Sequence, residues 1–242
     1  MRVLLVGGSG YVGGLVAPLL LQQFTLRIFD LRPPVSGSGY VHGDATDYPA
    51  LLAAMADVDA IVHCAMGPVD GAEADVAAAA FDVNVKSVHH ALSAARQAGV
   101  PHLVYVSSMS VYQDLLSRRL DESVVPDARD VYGLTKRLGE EVCQAAAAEY
   151  GLSVNVLRLA WPTPDRDWPA WGRIEPPESL RRPDGTAMCA TAATDVAAAI
   201  SAALDYRDGF QAFLVSSDDI GGRWSTNKAR TRLGWRPIFT VP

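Results

Sequence analysis

Two residues four positions apart carry the clearest chemical signal in this chain. Tyr132 and Lys136 fall in a segment with helical spacing, so their side chains share one face of the predicted helix. A free tyrosine has a pKa of about 10, and a neighbouring ammonium group favours the phenolate. The pair therefore predicts a general base that takes a proton from a substrate hydroxyl. The alternative is a surface pair on a helix, which is common.

A serine follows a predicted buried strand over 102–107. In a parallel sheet the carboxyl ends of the strands face the ligand crevice, which predicts that Ser108 orients the substrate oxygen. Its neighbour Ser107 is the second candidate for the catalytic hydroxyl. A serine at a strand end more often bonds to the backbone, which favours Ser108.

The first predicted strand runs directly into a glycine-rich turn. Gly7, Gly10 and Gly13 form a GxxGxxG pattern that opens a predicted helix beginning with Tyr11 and Val12. The glycines permit a tight turn, a close approach to a pyrophosphate and close packing of the helix on the strand. Free N–H groups at the helix start then meet the phosphates. The pattern predicts a dinucleotide site, with a glycine turn without ligand as the alternative.

Two acidic residues follow the next two predicted strands. Asp30 comes about 20 residues after the glycines, where a carboxylate hydrogen-bonds the adenosine ribose and repels a 2′-phosphate. This favours NAD over NADP, although Arg32 nearby weakens the preference. Asp44 is placed either to approach the adenine or to serve as a turn residue. For Asp30 the alternative is a cap at the start of the following loop.

Strand and helix patterns alternate along the first 160 residues. Such alternation predicts an α/β fold of the Rossmann type, a doubly wound parallel sheet with helices on both faces. The predicted strands span 2–6, 25–30, 40–42, 60–64, 102–107 and 153–159, and the predicted helices 11–23, 48–56, 73–97 and 130–150.

The pattern changes after residue 160. Residues 161–183 contain six prolines and three tryptophans, too many prolines for regular structure. We therefore predict an NAD-binding domain over 1–160 and a small substrate-binding lobe and lid over 161–242, integrated with it. Arg158, at the end of the sixth strand, is predicted to bind an anionic substrate group, with a salt bridge as the alternative. Arg166 and Arg173 are either lid residues or exposed loop residues.

Composition excludes several classes of function. The 242 residues carry a net charge of −6 without a run of Lys or Arg, which argues against nucleic acid as a partner. The three cysteines show no metal-ligand spacing, and neither do the histidines, so we predict no metal. The first residues lack the features of a signal peptide, and no apolar run is long enough for a bilayer. We expect a cytoplasmic protein without a membrane partner.

Together these motifs resemble the extended short-chain dehydrogenase/reductase family, also called the NAD-dependent epimerase/dehydratase family. The segment Asn84-Val85-Lys86-Ser87 is similar to the family's Asn-Val-x-Gly segment, whose Asn supports the active site. The resemblance implies NAD as cofactor, with Ser108, Tyr132 and Lys136 catalytic and Asn84 supporting them. It also implies a homodimer formed through the two long helices over 73–97 and 130–150.

Within that family the chain is most similar to short uronate dehydrogenase-type members, through Phe29–Arg32, Tyr132–Lys136 and the C-terminal region. Those enzymes oxidise a sugar acid at C1 to a lactone with NAD. They carry Ser-Asn-His where this chain has Ser108-Met109-Ser110, so part of the grip on a polar sugar acid is missing. The first hypothesis is an NAD-dependent oxidoreductase acting on a sugar, a sugar acid or a similar small hydroxylated substrate.

The same residues favour or exclude three other activities. A sugar-nucleotide epimerase usually has a larger C-terminal domain than 161–242 provides, but it remains the second hypothesis. A 4,6-dehydratase needs an Asp-Glu pair after the catalytic hydroxyl, and Met109 and Ser110 exclude it. A non-catalytic NAD-binding module is the third, and the intact Ser108, Tyr132 and Lys136 argue against it.

Overall fold

A parallel seven-stranded sheet forms the centre of the computed structural model, which describes residues 1–35, 39–68 and 73–240. The strands are β1 (Arg2–Val6), β2 (Thr25–Asp30), β3 (Tyr40–His42), β4 (Ala60–His63), β5 (His102–Ser108), β6 (Ser153–Leu159), β7 (Pro162–Thr163), β8 (Thr191–Ala192) and β9 (Phe210–Val215). The order across the large sheet is β3-β2-β1-β4-β5-β6-β9, and β7 pairs with β8 separately. The predicted Rossmann-type parallel sheet is confirmed.

Helices cover both faces of the sheet. They are α1 (Tyr11–Leu20), α2 (Tyr48–Ala54), α3 (Ala74–Phe81), α4 (Ser87–Ala98), α5 (Val131–Tyr150) and α6 (Ala193–Asp205). The single long helix predicted over 73–97 is wrong in one respect. A π-helical turn, Asp82–Lys86, separates α3 from α4, and such turns are frequent near functional sites.

The central strands are apolar on both sides because both sides are covered. Side chains of β1 alternate between the two faces. Val3 and Leu5 pack with α1 and α6, while Leu4 and Val6 pack with α2, α4 and α5. The two layers hold the carboxyl ends of the strands at one edge, where the predicted site residues lie.

The predicted lobe over 161–242 is divided between two environments. Helix α6 and strand β9 join the main layers, with β9 paired to β6 in parallel. Residues 161–192 are largely irregular and lie over the sheet edge. Asp195 in α6 accepts hydrogen bonds from the backbone N–H groups of Ile238 (2.7 Å) and Phe239 (3.2 Å), which fixes the C-terminal segment.

None of the helices in residues 1–35, 39–68 and 73–240 is long and apolar enough to cross a membrane. No three His, Cys, Asp or Glu side chains in those ranges are arranged to hold a metal ion. Cys64, Cys143 and Cys189 are buried free thiols.

Candidate active site

The glycine turn after β1 has the geometry that the spacing predicts. Gly7 has φ +78°, and a Cβ there would lie 2.4 Å from the Cα of Ala65 on the neighbouring chain segment. A Cβ at Gly13 would lie 2.3 Å from the Gly7 carbonyl oxygen. Both positions therefore require glycine, Gly7 for its backbone angles and Gly13 for the packing of α1 on the turn.

The start of α1 is left open toward a ligand. Gly10 precedes the helix and supplies no side-chain cap, and the first turn has no acidic residue. The N–H groups of Tyr11, Val12 and Gly13 have no partner within the helix. Uncapped amides beside a turn too tight for side chains fit the pyrophosphate of a dinucleotide.

Asp30 and Asp44 lie in different settings. Asp30 is half-buried beside the glycine turn, where its carboxylate accepts hydrogen bonds from the backbone N–H of Ser9 (2.9 Å) and of Arg32 (3.0 Å). Asp44 is exposed, and its Oδ1 accepts from both the N–H and the hydroxyl of Thr46, each at 2.8 Å. This arrangement favours the turn role for Asp44, whereas Asp30 keeps the position expected of a ribose ligand.

A cavity of about 830 Å³ opens beside the start of α1, at the carboxyl ends of β5 and β6. Ser108 and Tyr132 both line it, as the spacing predicts, and Tyr11 brings the glycine turn to the same wall. The remaining wall is largely aromatic and apolar and includes Met66, Met109, Tyr112, Leu115, Trp161, Trp171 and Ile174. The glycine turn thus lies beside a cavity whose remaining wall is mostly apolar.

The two serines at the end of β5 point in different directions. Ser108 lines the cavity, and its Oγ accepts a hydrogen bond from the N–H of Ser110 at 3.1 Å. Ser107 is buried, and its hydroxyl donates to the Glu140 carboxylate at 2.6 Å. Of the two candidates, only Ser108 presents its hydroxyl to the cavity.

Tyr132 lies in the first turn of α5, which Asp130 caps by accepting a hydrogen bond from Gly133 N–H at 2.8 Å. Burial raises the pKa of the Tyr132 phenol, while hydrogen bonding with Ser108 and the positive charge of Arg173 oppose that rise. The sequence spacing predicts that Lys136 is the cation opposing this rise, but in the structure that cation is Arg173.

Lys136 lies one helical turn below Tyr132 and is 2% exposed. Its Nζ donates to the backbone carbonyl of Val106 at 2.9 Å, so it fixes α5 against the last residues of β5. Burial lowers the pKa of Lys136 to about 8. The ammonium group is thus bonded to the backbone and is not part of the cavity wall.

Asn84 lies in the π-helical turn and supports α5 from behind. Its Oδ1 accepts from Gly67 N–H (3.0 Å), and its Nδ2 donates to the Thr135 hydroxyl (2.9 Å). Asn84 is fully buried and does not line the cavity. It therefore holds the residue next to Lys136 and has the supporting position that the resemblance implies.

The predicted substrate role of Arg158 is not matched by its position. Arg158 is 4% exposed and forms a buried ion pair with Glu140, Nη2 to Oε2 at 2.7 Å, behind the cavity wall. Arg173, one of the two loop arginines, does line the cavity. Within the described ranges, no carboxylate oxygen lies within 4.0 Å of the Arg173 guanidinium.

The sequence did not identify two residues that belong to the cavity wall or lie directly behind it, Tyr112 and Glu140. Glu140 falls eight positions after Tyr132 and so shares its helix face, a spacing that could have identified it. Tyr112 lines the cavity after the short 3₁₀ turn Met109–Val111. Nothing in the local sequence distinguishes Tyr112 from the other tyrosines.

Comparison with known proteins agrees with this geometry. Residues 3–162 match the NAD dependent epimerase/dehydratase family, and the chain belongs to it. The predictions of an enzyme family and of NAD as its cofactor are thereby confirmed. The substrate and the roles of the individual side chains are a separate question.

Three similar proteins illustrate the range of the family. An uncharacterized protein of Bacillus subtilis strain 168, YtbQ, is 25% identical over 246 residues, covering 98% of this chain and 93% of YtbQ. The structure of Agrobacterium tumefaciens uronate dehydrogenase, a mutant complexed with NAD, has a TM-score of 0.80 at 22% identity, covering 99% of this chain and 85% of that one. Brucella ovis UDP-glucose 4-epimerase in complex with NAD has a TM-score of 0.81 at 22% identity, covering 99% and 94%.

Chain length separates these similar proteins into two groups. This chain spans less than half the length of several other curated relatives that it matches. It nevertheless spans nearly the whole UDP-glucose 4-epimerase chain. Length therefore does not decide between the two activities.

Proposed function

We propose that this protein is an NAD-dependent dehydrogenase of a small hydroxylated substrate, a sugar or a sugar acid. The observation that supports it most directly is the placement of Ser108 and Tyr132 on one cavity wall, beside the open start of α1. The glycine turn would hold the dinucleotide, and the two hydroxyl groups would receive the substrate alcohol. Lys136, buried one helical turn after Tyr132, would hold the nicotinamide ribose.

In this proposal Tyr132 takes the proton of the substrate alcohol while Ser108 orients the alcohol oxygen. When bound, NAD would supply the hydride acceptor and a positive charge. Because burial and, to a smaller extent, the charge of Asp130 raise the pKa of Tyr132, the phenol is protonated in the free protein. Positive charge near it, from Arg173 and from the occupied cofactor site, favours the phenolate.

Arg173 is the residue we propose for an anionic group on the substrate, in place of Arg158. It lines the cavity and lies about as far from the Tyr11 ring as from the Trp171 ring, 6.0 Å to each centroid. A guanidinium without a carboxylate partner is suited to bind a carboxylate of a sugar acid through paired hydrogen bonds. Arg173 would take the place of the Asn and His that uronate dehydrogenase-type members carry where this chain has Met109 and Ser110.

The direct test is turnover of NAD with a panel of sugars and sugar acids, followed by NADH absorbance. We expect NADH with at least one member and a rate roughly 10²- to 10⁴-fold lower for Tyr132→Phe, because that change removes the general base. NAD affinity should stay within about two-fold of wild type. Tyr206→Phe, which removes an exposed phenol bonded to Asp208, is the matched control. An unchanged rate in Tyr132→Phe would refute the assigned role.

A sugar-nucleotide epimerase is the second candidate, favoured by two observations. The cavity is near the upper end of the size range of small-molecule sites, about 300–1,000 Å³, and a UDP-glucose 4-epimerase has nearly the same chain length. This reading predicts conversion of a nucleotide sugar to its epimer without net NADH. If no nucleotide sugar binds in calorimetry while a sugar acid yields NADH, the dehydrogenase alone remains.

We also propose a homodimer formed through the long helices. Phe81 at the end of α3 is 40% exposed, and Leu138 and Val142 on α5 are half-buried, so apolar side chains are partly uncovered there. Light scattering should give about twice the chain mass of 25.8 kDa. A monomeric mass at micromolar concentration would contradict this. A cytoplasmic location stays a prediction from the sequence.

A further inference from the structure

A buried polar network lies behind the cavity wall and belongs to none of the roles assigned above. Glu140 of α5 and Arg158 of β6 are each 4% exposed. The Arg158 Nε donates to both carboxylate oxygens (3.1 and 3.2 Å) and Nη2 donates to Oε2 (2.7 Å). Ser107 donates its hydroxyl to the same carboxylate at 2.6 Å. The Glu140 carboxylate thus connects α5 to the ends of both β5 and β6.

Both ends of the network reach the cavity. Ser107 directly precedes Ser108, so the bond from Ser107 to Glu140 fixes the last residues of β5. At the other end, Arg158 donates through Nη1 to the Tyr112 hydroxyl, and Tyr112 donates in turn to the Asp121 carbonyl at 3.2 Å. The Tyr112 ring is part of the cavity wall.

The helix that carries Glu140 also carries the proposed base. Tyr132, Lys136 and Glu140 are spaced by four residues and lie on one face of α5. A tie between Glu140 and the β5 end therefore sets how far Tyr132 stands from Ser108. A buried ion pair is weak evidence for stability, because apolar residues of similar volume often serve as well. Precise placement of Tyr132 relative to Ser108 therefore explains the Glu140–Arg158 pair better than a contribution to stability does.

We propose that Glu140 and Arg158 are positioning residues, which together fix the separation of Ser108 and Tyr132 and hold Tyr112 in the cavity wall. The proposal rests on the proposed function, because it assigns a purpose to the geometry of those two hydroxyls. Neither residue touches the cavity itself. Their effect on turnover passes through Ser107 and Tyr112.

The Glu140 charge also acts on Lys136, which lies one turn earlier on the same face of α5. Burial lowers the pKa of Lys136 to about 8, and the negative charge of Glu140 is one of the influences that oppose this. Without that charge the pKa of Lys136 falls further, so the ammonium form is lost at lower pH. The basic limb of the activity profile should then move to lower pH. The titratable side chains around the Lys136 ammonium are His63, Cys64, Tyr105, Glu140 and Cys143.

The decisive variant replaces both partners, Glu140→Leu with Arg158→Met, so that neither charge stays buried alone. We expect cooperative unfolding close to the wild-type Tm and NAD affinity within about two-fold. We expect kcat to fall roughly 10- to 100-fold, because displacement by about 1 Å costs up to that much. The basic limb of kcat against pH should also move to lower pH. Arg2→Met, which breaks an exposed pair at the far end of β1, is the control.

A double variant that folds and keeps the wild-type kcat and pH profile overturns the proposal. If the double variant does not fold, Ser107→Ala decides, because it removes one contact to the Glu140 carboxylate without leaving a charge unpaired. Ser107→Ala should lower kcat several-fold. An unchanged kcat in that variant overturns the proposal as well.

Failure of the proposed function is distinguishable from failure of this inference. If wild-type protein forms no NADH with any substrate, the activity assignment fails and kcat gives no information about the network. A crystal structure of the double variant then supplies the readout. We expect the Ser108 and Tyr132 hydroxyls to separate by at least about 0.5 Å, the tolerance of a productive site. Unchanged positions of both hydroxyls and of the Tyr112 ring would refute the positioning role.

Discussion

The cavity has two walls, and they are built from different kinds of structure. The cofactor wall consists of a strand end, a glycine turn and a helix start, and it offers backbone N–H groups. The substrate wall consists of residues 108–115 and 159–174, and it offers side chains. Backbone groups recognise what all dinucleotides share, namely phosphates, whereas side chains can change from one substrate to another. The family can therefore keep its cofactor while its substrates differ.

Backbone conformation shows the same contrast. On the cofactor wall the left-handed residue is a glycine, Gly7. On the substrate wall two non-glycine residues, Asp114 (φ +47°) and Trp161 (φ +41°), adopt that conformation. For a tryptophan it is a rare and costly choice. Trp161 is held there by stacking on Trp224, with ring centroids 5.7 Å apart. Tertiary packing, rather than local preference, shapes this wall.

The largest effect should come from the cofactor wall, where neighbouring glycines provide a matched pair. Gly13→Ala places a methyl group 2.3 Å from the Gly7 carbonyl oxygen, whereas Gly14→Ala meets nothing within 4 Å. Overpacking of this kind costs about 1–3 kcal/mol, so we expect NAD affinity to fall roughly 10- to 100-fold in Gly13→Ala. Calorimetry with NAD measures this directly.

Gly14→Ala is the control, and its expected effect has the opposite sign. Gly14 is exposed in the interior of α1, where alanine is more favourable than glycine by up to about 1 kcal/mol. Its NAD affinity should equal that of wild type, and its Tm should rise slightly. Equal losses of affinity in both variants would mean that the turn does not approach the cofactor closely.

The same contrast explains what the sequence predicts well and what it does not. β2 was predicted over 25–30 and is found there, because Leu26, Ile28 and Phe29 supply the buried apolar side chains between polar ends. GxxGxxG is likewise local. Arg158 was misplaced because its partner Glu140 is 18 residues away and meets it only when α5 packs on β6.

The charge near Tyr132 is a second example. Sequence spacing points to Lys136, which is four residues away, but the Lys136 ammonium turns to the carbonyl of Val106. The charge that acts on Tyr132 comes from Arg173, 41 positions further along the chain. No local pattern predicts a contact made by an irregular segment. The π-helical turn that positions Asn84 was missed because its sequence continues the helical pattern on either side.

A middle-sized effect should separate Arg173, which lines the cavity, from Arg166, which does not. We expect Arg173→Met to raise KM for a sugar acid about ten-fold, because a charge-assisted hydrogen bond contributes about 1.5–3 kcal/mol and Arg173 is only half-buried. KM for NAD should not change. Arg166→Met is the control, since the Arg166 side chain is 82% exposed and pairs with Asp167. Steady-state kinetics with a uronic acid and with its neutral parent sugar test this. An equal loss for the neutral sugar would show that Arg173 does not bind the carboxylate.

The smallest effect should come from Asp30, on the cofactor wall but acting through a side chain. Asp30→Asn keeps an oxygen that accepts from Ser9 N–H and removes the charge that repels a 2′-phosphate. A half-exposed charge contributes about 0.2–1 kcal/mol, so the preference for NAD over NADP should fall about two- to five-fold. Arg32, whose Nη2 donates to the Ser9 carbonyl at 3.3 Å, stays available to a phosphate. Competition calorimetry with both dinucleotides measures the ratio. If the ratio does not move, the carboxylate of Asp30 serves the glycine turn alone, and specificity for NAD has its origin elsewhere on this wall.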